Sequence, residues 1–222
     1  MSESREEQAL NAYIRLLKSK GASEESLKQR EDFLLKLAFR HEDELNESCL
    51  YRRAVENMLE QVDRSFWPFC LAITREYYPF WANDIKAIAA LNAEHAFDFE
   101  LINWQPKDIN LKKIWASLDK EQFELSETWP MKAYMHGLRQ EGATQAIVET
   151  RIKLVKLLLV RLKDAPEKTP RVYRTAVDST YPLFDRKETR RLFLAVVREF
   201  YYFWIGAPEA SSYILIENSD FA

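Results

Sequence analysis

A chain of 222 residues, 47% hydrophobic and 30% charged, has the balance of a folded globular protein and not of a disordered one. Four Gly argue against glycine-rich phosphate loops and against an all-β fold built on tight turns. The formal net charge of −3 selects no partner by itself, and no apolar run reaches the roughly 20 residues a membrane span needs.

The opening, Met1-Ser2-Glu3-Ser4-Arg5-Glu6-Glu7, is polar and acidic and unlike a signal peptide. Residues 5–20 read as a first helix, with Ala9, Tyr13, Leu16 and Leu17 at helical spacing. Gly21 suits a helix end, and Ser23 suits an N-cap, with Glu24 and Glu25 where the helix dipole favours acids. A second helix is expected through Leu27, Leu34, Leu37 and Ala38 to Arg40. His41-Glu42-Asp43-Glu44 lacks the second histidine at i+4 that a helical zinc site needs, so a polar loop is expected there. A third helix over 48–62 carries Leu50, Ala54, Val55, Met58, Leu59 and Val62, and a fourth covers 65–81 with Pro68 in its first turn.

Residues 82–130 are acidic, with five Lys against nine Asp and Glu. Asn83-Asp84 opens a helix to Asn92, and Asn110 to Leu118 reads as another. Between them, Phe97-Asp98-Phe99-Glu100-Leu101 alternates with a strand period. Residues 151–198 reverse the charge, with thirteen Lys and Arg against five acids. Near the C-terminal end, Tyr213-Ile214-Leu215-Ile216 fits a strand or an extended docking segment.

One stretch recurs. Arg75-Glu76-Tyr77-Tyr78-Pro79-Phe80-Trp81 returns as Arg198-Glu199-Phe200-Tyr201-Tyr202-Phe203-Trp204, with five of seven positions unchanged. Ala12-Tyr13 is answered by Ala133-Tyr134, Gly21-Ala22-Ser23 by Gly142-Ala143-Thr144, and Tyr51-Arg52 by Tyr173-Arg174. Collinear matches with kept apolar periodicity predict a duplication. The expected fold is therefore all-α: an internally duplicated helical bundle of two similar four-helix units, with room for a minor two-stranded element. The units span 1–81 and 131–206, bridged by 82–130 and followed by a tail at 207–222.

The sequence names no chemistry. No Gly-x-Ser-x-Gly, Walker loop, Rossmann fingerprint or Cys-x-x-Cys occurs, and no catalytic residue, metal or cofactor is expected. Cys49 and Cys70 are two isolated thiols, read as reduced and cytoplasmic. Two polar features remain. Arg30 and Arg151 fall in the second helix of each unit and Glu76 and Glu199 in the fourth; the helices around Arg151, Glu76 and Glu199 are strongly apolar, where a charge needs a partner. They make either structural ion pairs or a polar pocket lined by Tyr77, Tyr78, Tyr201 and Tyr202 that could hold a small anionic or aromatic ligand. The second feature is Arg186, Lys187, Arg190, Arg191 and Arg198, either a solvated face or an anion-binding one. Acids such as Glu124 and Glu127 could fold against it and neutralise it. The leading expectation is a non-enzymatic scaffold or adaptor for a protein partner. A nucleic-acid-binding or regulatory protein is the alternative, an enzyme with an unfamiliar helical site the third, and no membrane partner is expected.

Overall fold

The computed structural model describes residues 4–37, 47–93 and 104–216. Among them are ten α-helices and no strand. The contacts divide the chain into two compact units, Met1–Asn103 and Trp104–Ala222. The expected strand at 97–101, the loop at 41–46 and Arg40 lie outside the described residues.

Unit 1 opens with α1 (Arg5–Ser19). Its N-terminus is closed by a capping box in which Ser4 and Glu7 each accept the other's backbone N–H. Gly21, at φ 88°, takes the left-handed turn that ends the helix. Ser23 then accepts the Ser26 N–H and starts α2 (Glu24–Leu34). α3 is Glu47–Leu59. A 3-10 turn at Arg64–Phe66 leads into α4 (Trp67–Trp81), which ends on Asn83 at φ 54°, a conformation asparagine tolerates better than most residues. Helix α4 packs against α1, α2 and α3, and it buries Trp67, Ile73, Tyr77 and Phe80 among them. α5 (Ile85–Ala93), begun by Asp84 accepting the Ala87 N–H, also packs on α4.

Unit 2 begins with α6 (Leu111–Ser117), capped by Asn110. The helices α7 (Leu125–Gln140), α8 (Gln145–Leu162), α9 (Pro170–Thr180) and α10 (Lys187–Trp204) follow. Thr144 and Thr169 cap α8 and α9. The last of these helices is again the hub, with α10 against α7, α8 and α9. α8 carries the most apolar core, with Leu154, Val155, Leu157, Leu158 and Leu159 all buried. After α10 the chain turns at Gly206 and makes a 3-10 turn at Ala210–Tyr213. Tyr213 closes that turn and Ile214 is extended without pairing into a sheet, so the strand expected as one alternative for 213–216 does not form.

The acidic stretch 82–130 is divided between the two units. α5 stays with α4, while residues between 104 and 124 meet α8 through Asp119–Lys156 (2.9 Å) and the turn just after it through Lys107–Asp164 (2.6 Å) and Glu121–Lys163 (4.0 Å). Glu124 and Glu127 do not reach the α10 cations. Glu127 and Glu124 instead form the capping box of α7.

Candidate functional site

The most buried polar constellation joins α7, α8 and α10. Four α-helical residues separate Val155 from Arg151, so Arg151 shares the inward face of α8 and its side chain is only 1% exposed. Glu199 meets it from α10, with Nη1 2.6 Å from Oε2. Tyr134 of α7 donates its hydroxyl to the same oxygen at 2.6 Å. The second carboxylate oxygen, Oε1, accepts the Leu215 backbone N–H at 3.2 Å, and Arg151 Nη2 donates to the Leu215 carbonyl at 3.1 Å. Both faces of the ion pair are therefore engaged, one by a phenol and one by a peptide group. Burial pulls the Arg151 guanidinium down, but Tyr134 and Glu199 outweigh it and hold it firmly charged.

The same residue types meet in unit 1, more loosely. Tyr13 donates to Glu76 Oε2 at 2.7 Å, and Arg30 Nε lies 3.5 Å from that oxygen. Arg30 also donates to Ser26 Oγ at 2.5 Å. The Glu76 side chain keeps 24% of its exposure. Both expected ion pairs thus form. Burial, reinforced by the neighbouring carboxylate, raises the Tyr13 and Tyr134 hydroxyls well above the ordinary tyrosine value, so both stay donors.

Tyr78 and Tyr201 sit elsewhere. Two residues along a helix is a rotation of about 200°, which turns them away from Glu76 and Glu199. Tyr78 packs edge-on to Tyr51 (4.9 Å between ring centroids) and Tyr201 to Tyr173 (5.2 Å). The hydroxyls that complete the two clusters belong to Tyr13 and Tyr134. Sequence reasoning noticed these only as matched positions, and the available signal was a phenol on the buried stripe of α1 and of α7.

The basic cluster is not one surface. Arg186, Lys187, Arg191 and Arg198 are exposed. Arg190 is buried; its Nη1 donates to the Phe184 and Asp185 carbonyls at 3.1 Å each, and its guanidinium lies over the Tyr181 ring. It closes the turn before α10 and does not belong to an anion-binding face. Position 190 is about 80° off the centre of the 187–191–198 stripe, enough to carry it inward.

A further surface went unnoticed in the sequence. Leu125 and Trp129, one turn apart at the start of α7, are 75% and 69% exposed. Among the described residues no group of three or more His, Cys, Asp and Glu side chains is placed to hold a metal ion. No described helix is long and apolar enough to cross a membrane. No family model, no curated protein and no solved structure matches the chain.

Proposed function

We propose that this chain is a helical scaffold or adaptor that binds another protein in the cytoplasm, and that it arose by duplication of one four-helix unit. The observation that carries the binding reading is the exposed Leu125–Trp129 pair. Large apolar side chains grouped on a helix face are enriched at protein interfaces, and tryptophan is among the commonest hot-spot residues. The buried Tyr–Arg–Glu clusters support the scaffold half. Their strongest donors and acceptors are spent on one another, tying three helices together in each unit. Affinity capture with the wild-type chain and with Trp129→Ala tests the reading, followed by reconstitution with the purified captured protein. A protein bound by the wild type at micromolar strength and at least about tenfold weaker by the variant is expected. Identical binding by both would overturn the assignment to this face.

Support for the duplication lies in contacts that recur pair by pair. Tyr51 donates to the Thr74 carbonyl and Tyr173 to the Val197 carbonyl, both at 2.6 Å. The ring pairs Tyr13–Phe80 and Tyr134–Phe203 have centroids 5.4 and 5.3 Å apart, each at 61°. Tyr51–Trp81 and Tyr173–Trp204 are 5.0 and 4.9 Å apart at 48° and 47°. Related sequences that kept one copy of this pattern and scrambled the other would count against it.

A second reading is favoured by one observation: Lys187, Arg191 and Arg198 form an exposed stripe on α10. Nucleic-acid binding through three phosphates would give a log–log salt slope of roughly −3 on duplex DNA. A titration with a labelled duplex and single strand at about 50 mM salt decides it, and no binding at tens of micromolar protein removes it.

A further inference from the structure

Helix α10 presents more than charge on its outer side. At about 100° of rotation per residue, Lys187, Arg191, Arg198 and Tyr202 fall within an arc of about 60° and form one stripe along the helix. The three cations are exposed and Tyr202 is half-buried. At about 1.5 Å per residue the stripe is about 22 Å long. The charge around it is one-sided, and the adjoining α9 shares the sign. On α9 and α10 together, Arg171, Arg174, Lys187, Arg191 and Arg198 reach solvent against one acid, Glu188, because Asp178 and Glu199 are buried. A row of cations of this length suits a ligand that carries anions in a row.

At its C-terminal end the stripe meets a flat aromatic surface. Tyr213 lies on the Tyr202 ring with centroids 3.5 Å apart and planes within 5°. Stacked bases in a nucleic-acid strand keep nearly the same spacing, about 3.4 Å. Tyr202 covers one face of Tyr213, yet Tyr213 keeps 42% of its exposure, so its open surface is the opposite face and the edge. The residues after it hold the ring in place. Ile214 is buried against Gly137 of α7, and the Leu215 peptide is bonded to Arg151 and Glu199. The ring is therefore ordered before a ligand arrives, which lowers the entropy a contact to it costs. Cations that track phosphates and a ring that stacks on a base are the two parts by which proteins hold single strands. A duplex offers the same phosphates, but its bases are already stacked on one another and leave the ring without a partner. An acidic peptide would likewise engage the cations and not the ring.

We infer that α10 and Tyr213 form a site for single-stranded nucleic acid, in which Lys187, Arg191 and Arg198 hold phosphates and the open face of Tyr213 stacks on a base. This rests on the nucleic-acid reading of the α10 stripe and adds to it the form of the strand and the residue that selects that form.

The test is a fluorescence-anisotropy titration of the full chain with a labelled oligothymidylate of about 12 nucleotides and with a duplex of the same length, in about 50 mM salt. The single strand is expected to bind at least about fivefold more tightly than the duplex, with a log–log salt slope of roughly −2 for three phosphates. Tyr213→Leu is expected to lower the single-strand affinity about 5- to 100-fold, the worth of one stacked base, and to leave the duplex affinity unchanged. Tyr213→Phe keeps the ring and is expected to bind as the wild type does. Arg198→Glu should weaken both probes. Equal affinity for the two forms, with Tyr213→Leu binding as the wild type does, would leave the nucleic-acid reading standing and overturn the stacking site. No binding of either probe at tens of micromolar protein would overturn both. If Tyr213→Leu does not fold, ultraviolet crosslinking of the wild type to a bromodeoxyuridine-substituted single strand decides. A crosslink mapped to Tyr213 supports the site, and crosslinks that fall only elsewhere overturn it.

Discussion

Replacing Glu199 by Ala should be among the most damaging single changes in the chain. The substitution removes the acceptor of three hydrogen bonds, from Tyr134, Arg151 and the Leu215 N–H. It also strands a guanidinium whose side chain is 1% exposed. Breaking a buried pair by removing one member costs about 3–5 kcal/mol, because the remaining charge is left without compensation. At about 2–4 °C per kcal/mol for a chain of this size, the melting midpoint should fall by roughly 6–20 °C. Glu76→Ala should cost only about 1–2 kcal/mol, since the Arg30 contact is 3.5 Å long and solvent reaches the carboxylate. Lys187→Ala, on the exposed side of α10, should stay within about 0.5 kcal/mol. Glu199→Gln keeps the shape and one acceptor for Arg151 and Tyr134 but removes the charge and sets an amide donor against the Leu215 N–H. Thermal and urea unfolding by circular dichroism measure all four. Equal losses for Glu199→Ala and Lys187→Ala would refute the argument, as would a Glu199→Gln variant as stable as the wild type.

Two further outcomes are expected. Tyr13, Tyr51, Tyr77, Tyr134 and Tyr173 are all raised by burial, Tyr77 to about 12. A folded value above the unfolded one of about 10 means that their stabilisation is complete below that pH and is lost as pH rises through the folded values. Phenolate absorbance at alkaline pH should therefore appear together with loss of helical circular dichroism, and a smooth titration of these rings in an intact fold would contradict their burial. Arg190→Ala should cost about 1–3 kcal/mol by leaving the Phe184 and Asp185 carbonyls without their donor, while Arg191→Ala should cost under about 0.5 kcal/mol, both read from urea midpoints.

Much of the helical frame was legible because its signals are local. Ser23, Asn110 and Thr144 cap as their side-chain chemistry dictates, and Gly21 and Gly142 turn with positive φ. The two ion pairs were legible for a different reason. A lone charge inside an apolar helix is costly, so Arg151 within α8 announced a partner before any contact was known. What remained hidden was rotational detail. Arg190 is one residue from Arg191 and shares its chemistry, yet 100° of helix rotation separates a buried tie from an exposed cation. Tyr78 and Tyr201 were misplaced for the same reason, because proximity to Glu76 and Glu199 in sequence carries no information about which face a helix residue occupies.

Long-range main-chain contacts lie further from what a sequence can express. Nothing in Tyr213-Ile214-Leu215-Ile216 specifies that a peptide group some sixteen residues beyond Glu199 returns to its carboxylate. The clue is instead a mismatch between the two copies of the pattern. Where Leu16 and Pro79 stand in one, Gly137 and Tyr202 stand in the other. A glycine in mid-helix costs about 0.5–1 kcal/mol relative to alanine. At Gly137 that cost is offset by the close approach of Ile214, and Tyr202 provides a ring where a proline could not stack. Departures from the proposed duplication thus point to the segment that the matched pattern does not predict, and that segment lies over the most buried charge of the unit.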